Sequence, residues 1–240
     1  MVFGAVLAGG VGSRMNIADM PKQFLPLGEK PIIIHTLEKF LSSKRIDYIY
    51  IGVHPEWEEH TLDLIDKYFN NCKNKFKVIT GGGSRTDTLF NVIDEIEKDF
   101  GKSEENIVLT HDSVRPFVTL KMIEENIDAC IKYGAVNTLS RAVDTIVISD
   151  GDRFIDNIPD RSHMYHGQCP QSFNISLLKK YYALLKDEQK AALTDACKIF
   201  VLNNHPVYIV DGDYTNLKIT TMGDYKIAQA VEQILREENE

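Results

Sequence analysis

The chain has no CxxC spacing, and its four cysteines, Cys72, Cys130, Cys169 and Cys197, stand far apart. That excludes the zinc sites and dithiol pairs built by closely spaced cysteines and leaves buried, reduced thiols as the reading. No run approaches the ~18 to 20 apolar residues of a membrane span. The opening MVFGAVLAGG has neither the basic flank nor the cleavage site of a signal peptide, so a cytoplasmic protein is expected. Positive charge is also short: 27 Lys and Arg against 35 Asp and Glu leave a formal net charge of −8. A large nucleic-acid footprint needs a concentrated positive surface, which this balance argues against. An anionic ligand would have to be caught by a few local cations. No Ser-His-Asp or Cys-His set stands out as a nucleophilic centre.

What is present suits one globular domain over residues 1–240, with 43% hydrophobic and 26% charged residues. Apolar β-rich runs alternate with amphipathic ones: VFGAVLA then PIIIHTLEKFL, YIYIGV then EWEEHTLDLIDKYF, FKVITGG then TDTLFNVIDEIEKDF, NIVLTHD then LKMIEENIDACIKYG. This alternation predicts an α/β fold, a Rossmann-like, mostly parallel sheet with helices on both faces. After Gly134 the pattern turns to strands with turns at Ser149 to Asp152 and near Pro159, predicting a projecting β-arm over about 138–170. A helical SLLKKYYALL, a strand PVYIVDG and a closing helix from about Gly223 to Glu237 complete the chain; the tail REENE reads as a solvated helix end.

Ligands of such sheets sit beyond the carboxyl ends of the strands. The segments there are AGGVGSRM, TGGGSRTD and HDSVRPF. Glycines after a first strand let the backbone approach a phosphate. A dinucleotide fingerprint would need GxGxxG, but from Gly10 the chain reads GVGSRM, with Met15 in the third glycine's place, and no GxxxxGK[ST] follows. What remains is a glycine turn with two cations, Arg14 and Lys22, the latter held behind Pro21. That pairing suits a triphosphate attacked at its α-phosphorus, where charge builds on the phosphoryl oxygens and the leaving pyrophosphate. The plainer alternative is two surface charges on a loop.

In TGGGSRTD, three glycines lead into a polar helix start that suits a base or ribose edge; the alternative is an ordinary strand-to-helix turn. Asp112 in HDSVRPF is a natural Mg²⁺ ligand beside phosphates. Arg115 would face an acceptor phosphate or the nearby backbone, unless it only pairs with Asp112, and His111 reads as structural. Arg161 in DRSHMYHGQ can grip a phosphomonoester bidentately, or serve an ordinary inter-strand pair. Lys218 adds a third cation to an acidic chain.

The segments LAGGVGSRM with PKQFLPLGEKPII, TGGGSRTDTL, HDSVRPF, AVDTI, PQSF, LTDACKI and NLKITT, in this order across nearly the whole chain, resemble the sugar-phosphate nucleotidylyltransferases. They are most similar to the cytidylyltransferases that act on methylerythritol phosphate and on ribitol 5-phosphate. The resemblance implies a nucleotidyltransferase fold, CTP as donor, Mg²⁺ as cofactor and a polyol phosphate as acceptor. It implies that Arg14 and Lys22 are catalytic and Asp112 holds the metal. CTP would lie on Leu7, Ala8, Gly9 and Gly10, and on Gly81, Gly82, Gly83, Ser84, Arg85, Thr86, Asp87 and Thr88. The acceptor would meet Arg115, Asp144, Thr145, Arg161, Thr194, Lys218 and Thr220, with Asp195 near it.

By the same resemblance the arm reaches a second subunit's site, making a homodimer. HDSVRPF, RSHMYHGQCPQSFN and LTDACKIFV look closer to the ribitol 5-phosphate enzymes, which implies CDP-ribitol for teichoic acid or capsule. Methylerythritol phosphate, of isoprenoid precursor synthesis, is the alternative acceptor. Two other classes stay open, an inactive nucleotide-binding regulator and a nicotinamide-dependent reductase. The retained cations and carboxylate count against the first, Met15 against the second.

Overall fold

The computed structural model of the chain describes residues 1–10 and 20–238. In chain order the elements are β1 (Val2–Ala8), β2 (Pro26–Leu27), β3 (Lys30–Pro31), α1 (Ile32–Ser42), β4 (Tyr48–Val53), α2 (Glu58–Phe69), β5 (Phe76–Thr80), α3 (Arg85–Phe100), β6 (Ile107–Asp112), α4 (Leu120–Tyr133), β7 (Ala135–Arg141), β8 (Tyr165–Asn174), α5 (Ile175–Ala183), α6 (Asp187–Ala191), α7 (Cys197–Leu202), β9 (Tyr208–Asp211) and α8 (Met222–Glu237).

Seven strands form one sheet in the order β5-β4-β1-β6-β8-β7-β9. All its pairings are parallel except the two made by β8, which runs antiparallel to both β6 and β7. The chain winds outward from β1 through β4 to β5, then returns to place β6 on the other flank of β1. The gap above β1 and β6 is therefore the switch point, where the connections leave in opposite directions and a crevice opens.

Apolar spacing decides which helix covers which face. Ile33, Leu37 and Phe40 of α1, Leu64 and Ile65 of α2, and Ile123 and Ile127 of α4 pack together on one side. Leu89, Val92, Ile93 and Ile96 of α3, at the three-four spacing of one helical stripe, join Leu178 of α5 and Phe200 of α7 on the other. Each fully buried Leu or Ile in these layers contributes roughly 1.5–3 kcal/mol of transfer free energy. Side-chain caps set the helix starts beside the crevice: Ser84 accepts from the Asp87 amide at 3.1 Å and Thr119 from the Met122 amide at 3.2 Å. α4 ends on Gly134, whose φ of +78° a residue with a Cβ would adopt only under strain.

A third, smaller cluster joins the β2–β3 hairpin to α8 through Leu25, Leu27, Ile219 and Ala228. The arm differs from its expected form. β7 and β8 belong to the main sheet, and the projecting part spans 142–164, where regular structure reduces to an Ile148–Asn157 bridge and a 3-10 turn over Arg161–His163. An isolated two-stranded ribbon is marginal in water without a third strand or a packed face. Here Val143, Ile148, Phe154, Ile155 and Ile158 are all exposed. Among the described residues no helix is long and apolar enough to cross a membrane.

Candidate active site

At the switch point Leu7 of β1 lies in register with Asp112 of β6. The two strand ends are closed by the Ser113 amide, which donates to the Leu7 carbonyl at 3.1 Å. A cleft of about 330 Å³ opens above them. It gathers Leu7, Gly9 and Gly10 from the first glycine turn, Lys22 and Gln23 from the next segment, and Gly82, Gly83, Ser84, Arg85 and Thr88 from the second glycine turn. Asp112, Ser113 and Val114 come from the end of β6, and Lys218 from the segment before α8. Segments separated by as much as two hundred residues thus converge on one crevice. Arg14, with the rest of 11–19, lies outside the described residues.

Lys22 opens a short 3-10 turn, Lys22–Phe24, that Pro21 introduces with an extended backbone at φ −61°. Its charge also reaches the start of α8. Burial would raise the Asp224 carboxyl, but the Thr221 and Thr220 amides, the Thr221 hydroxyl and Lys22 together hold it below its ordinary value. Gln23, next in the chain, is 2% exposed. Its amide donates to the Ala8 carbonyl at 2.8 Å and the Gly10 carbonyl at 3.1 Å, clasping the first glycine turn against the Lys22 turn. Gln23→Leu leaves two carbonyls short of a partner. A loss of roughly 2 kcal/mol is expected, about 4–8 °C in Tm, together with weaker MgCTP binding by calorimetry. An unchanged Tm would show that the clasp contributes nothing.

In the second glycine turn the Gly82 amide donates to Thr88 Oγ1 at 3.0 Å, and that hydroxyl donates to the Ser84 carbonyl at 2.9 Å. A Cβ on Gly82 would stand 2.4 Å from the Asp87 Cβ, so only glycine lets the turn lie this close to α3. Thr86 is buried and Asp87 is exposed; neither is among the residues lining the cleft, whereas Gly82, Gly83, Ser84, Arg85 and Thr88 of this turn are.

Asp112 is the electrostatic centre. Its side chain is 14% exposed; Oδ1 meets Arg85 Nε at 3.0 Å and Oδ2 meets Lys218 Nζ at 2.8 Å. Burial would raise this carboxyl, but Arg85 and Lys218 outweigh it and hold it well below the ordinary carboxylate range. The group is an anion throughout the neutral range. Its arrangement fits a divalent cation brought by a polyphosphate, because Mg²⁺ takes one or two carboxylates and fills its shell with phosphate oxygens and water. Among the described residues no cluster of three or more acidic, His or Cys side chains could hold a metal unaided.

His111 is fully buried, its Nε2 donating to the Arg115 carbonyl at 3.1 Å and its ring 5.2 Å from that of Phe40. Burial pushes it down to about 4, so it stays neutral at pH 7. The Cys169 thiol is pushed up to about 12 by burial, and Cys197 also lies well above its ordinary value. Neither thiol supplies a nucleophile at neutral pH.

The remaining expected residues divide. Arg115, 9% exposed, gives Nη1 to the Asn216 carbonyl at 2.7 Å and Nη2 to the Gly167 carbonyl at 3.4 Å, and its Nε is 4.0 Å from Asp112 Oδ2. It grips the backbone that carries Lys218 while standing at ion-pair distance from Asp112, contacts that match the backbone and Asp112 alternatives its motif left open. Thr220 lies at the start of α8, its amide donating to Asp224 Oδ2 at 2.9 Å, and Thr194 is exposed in the segment before α7. Asp144, Thr145 and Arg161 are exposed on the arm, away from the cleft of their own chain; Arg161 donates to the Val143 carbonyl at 2.6 Å.

Sequence reasoning missed Gln23, Gln171 and Asn216. All three lie inside segments already quoted from the sequence, PKQF, PQSF and NLKITT.

The family model for IspD, 2-C-methyl-D-erythritol 4-phosphate cytidylyltransferase, matches residues 2–236. Among solved structures the chain is similar to 4-diphosphocytidyl-2C-methyl-D-erythritol synthase from Anaerococcus prevotii, at 28% identity and a TM-score of 0.78 over 97% of this chain and 96% of that one. The Francisella tularensis 2-C-methyl-D-erythritol 4-phosphate cytidylyltransferase matches at 23% identity and 0.78, over 95% and 97% of the two chains. That of Thermus thermophilus matches at 22% and 0.75, over 97% and 100%. The last two likenesses speak for the fold alone.

Proposed function

From the premise that this chain belongs to the IspD cytidylyltransferase family, we propose that it transfers the cytidylyl group of CTP to the phosphate of a small polyol phosphate. The observation that carries the reading is the convergence of a glycine turn, Lys22, Arg85, Asp112 and Lys218 on one cleft at the switch point.

In this reading an acceptor phosphate oxygen attacks the α-phosphorus of CTP, the bond to the bridging oxygen breaks, and pyrophosphate leaves. A phosphate monoester dianion is already a nucleophile at neutral pH, so no protein base is required. The buried neutral His111 and the protonated thiols agree with that. Lys22 and Arg14 offset the charge that develops on the α-phosphoryl oxygens and the departing pyrophosphate. Gly83, Ser84 and Arg85 border the place of base and ribose. Mg²⁺, held by Asp112, would neutralise phosphate charge and orient the triphosphate.

Lys218 faces the acceptor, with Thr194 and Thr220 bordering its place and Arg115 bracing the Lys218 segment. Arg161, Asp144 and Thr145 act in trans. Their exposure, and the bare Phe154, Ile155 and Ile158 of the same arm, support a homodimer in which each arm enters the partner's cleft.

For the acceptor, the names carried by the family and by its solved relatives support 2-C-methyl-D-erythritol 4-phosphate better than ribitol 5-phosphate. Ribitol 5-phosphate, with CDP-ribitol as product, is kept as the second reading by HDSVRPF, RSHMYHGQCPQSFN and LTDACKIFV. Pyrophosphate release from MgCTP with each acceptor in parallel decides. Release with methylerythritol phosphate alone establishes the first reading and release with ribitol 5-phosphate alone the second. Silence with both overturns the proposal.

A further inference from the structure

The PQSF segment has no part in the site as described, yet Gln171 stands at its centre, 1% exposed. On β8 it lies in register with Thr110 of β6 and Asn137 of β7. It shares a sheet face with Phe173, two residues on, which packs into the layer under α3 and α7. Its amide nitrogen donates to Asp195 Oδ2 at 2.5 Å and to Asn137 Oδ1 at 3.2 Å. Its amide oxygen accepts from Arg85 Nη1 at 3.3 Å.

We infer that Gln171 is a positioning residue that ties the segment bearing Thr194 and Asp195 to the Arg85–Asp112 pair. The line is continuous: Lys218 to Asp112 at 2.8 Å, Asp112 to Arg85 at 3.0 Å, Arg85 to Gln171, Gln171 to Asp195. Asp195 Oδ1 then accepts from the amide of Cys197, the first residue of α7, at 2.7 Å. An amide suits the middle of this line, because it accepts from a guanidinium on one side and donates to a carboxylate on the other. A glutamate there would oppose Asp195, and an apolar side chain would satisfy neither neighbour.

Loss of Gln171 leaves Arg85 anchored by its ion pair with Asp112, so the nucleotide side keeps its geometry. Asp195 loses its tie to the sheet, and the acceptor side loosens. The split between the two substrates rests on the cytidylyltransferase reading, in which Thr194 borders the acceptor; the tie itself does not.

The test compares Gln171→Met, which loses the contacts to Asp195, Asn137 and Arg85, with Gln171→Glu, which keeps the one to Arg85. Asp195→Asn approaches the same bond from its other end. For each full-length variant, KM for CTP and for the acceptor is measured by pyrophosphate release. Amide hydrogen exchange is followed over residues 193–198. Both Gln171 variants are expected to raise the acceptor KM roughly tenfold to a hundredfold. KM for CTP should stay within about twofold, and exchange at 195–198 should quicken. Asp195→Asn should reproduce the acceptor defect. A parallel rise in both KM values, or unchanged exchange, would overturn the inference. Wild-type silence with both acceptors would sink the functional reading instead, and exchange together with MgCTP titration would still decide the tie.

Discussion

Replacing Lys22 with alanine is expected to lower kcat for pyrophosphate release by roughly 10²–10³-fold, while Tm moves by no more than about 2 °C. The side chain is partly exposed at the cleft mouth, so little packing is lost with it. Its turn is built by backbone bonds, the Phe24 amide to the Pro21 carbonyl at 3.0 Å and the Leu25 amide to the Lys22 carbonyl at 3.1 Å, which an alanine keeps. What disappears is a fixed positive charge at the cleft, where in the proposed reaction the α-phosphoryl oxygens would gather charge. An interaction that strengthens in the transition state appears in kcat and in kcat/KM alike. A variant that instead kept kcat and only raised KM for CTP would make Lys22 a ground-state phosphate holder. Turnover within about threefold of wild type would remove it from the mechanism. Lys22→Arg should recover part of the rate, since the charge returns with a different geometry.

The sheet and the crevice were legible because their signals are local. Four apolar runs separated by amphipathic ones specify parallel strands and crossover helices, and the glycine turns sit where such strands end. The cross-sheet polar contacts were not legible. Gln171 meets Arg85 and Asp195 only because β8 enters between β6 and β7 in reverse direction, and no spacing rule in the sequence announces that insertion. Arg115 shows the same limit. Its motif left an acceptor phosphate, the backbone or a pair with Asp112 open, and the backbone contact it makes is to Asn216, 101 residues away. The arm's strands were over-read for a different reason. Residues 142–164 contain β-prone side chains, but only one bridge forms there, and among the described residues no neighbour offers the third strand or packed face such a ribbon needs.

Charge is distributed unevenly for a chain of net charge −8. Lys22, Arg85 and Lys218 line one cleft in which Asp112 is the acidic side chain among the described lining residues. In a chain of net negative charge this cleft gathers positive charge locally, which is what the proposed polyphosphate substrate would need. Asp112 makes this cluster tolerable before substrate arrives, because the carboxylate engages Arg85 and Lys218 together. The same contacts imply a competition. A triphosphate entering without a metal must draw these cations away from Asp112. In the proposed reading, Asp112 would take the Mg²⁺ that accompanies a triphosphate, and Arg85 and Lys218 would then be free for phosphate oxygens.

Asp112→Asn separates these states and is expected to have the largest effect on turnover, roughly 10³-fold or more in kcat. The isosteric amide keeps the shape but removes the anion. Metal-free CTP should then bind as well as in the wild type or more tightly, since Arg85 and Lys218 are released, while MgCTP binds more weakly. Paired calorimetric titrations with and without Mg²⁺ measure both. A parallel loss of the two affinities would leave Asp112 a purely structural counter-ion. Stability should also fall, by about 2–3 kcal/mol, less than for a fully buried pair because Arg85 and Lys218 keep some contact with water. The pH dependence has a definite sign. The native carboxyl lies below its unfolded value of about 3.9, so its contribution is fully present above that pH and is lost as pH falls toward the depressed native value. The stability difference between wild type and Asp112→Asn, followed by urea unfolding, should therefore stay constant from pH 8 to about 5 and shrink below about 4. A difference that persisted undiminished to pH 2 would show that the ion pairs with Arg85 and Lys218 do not set it.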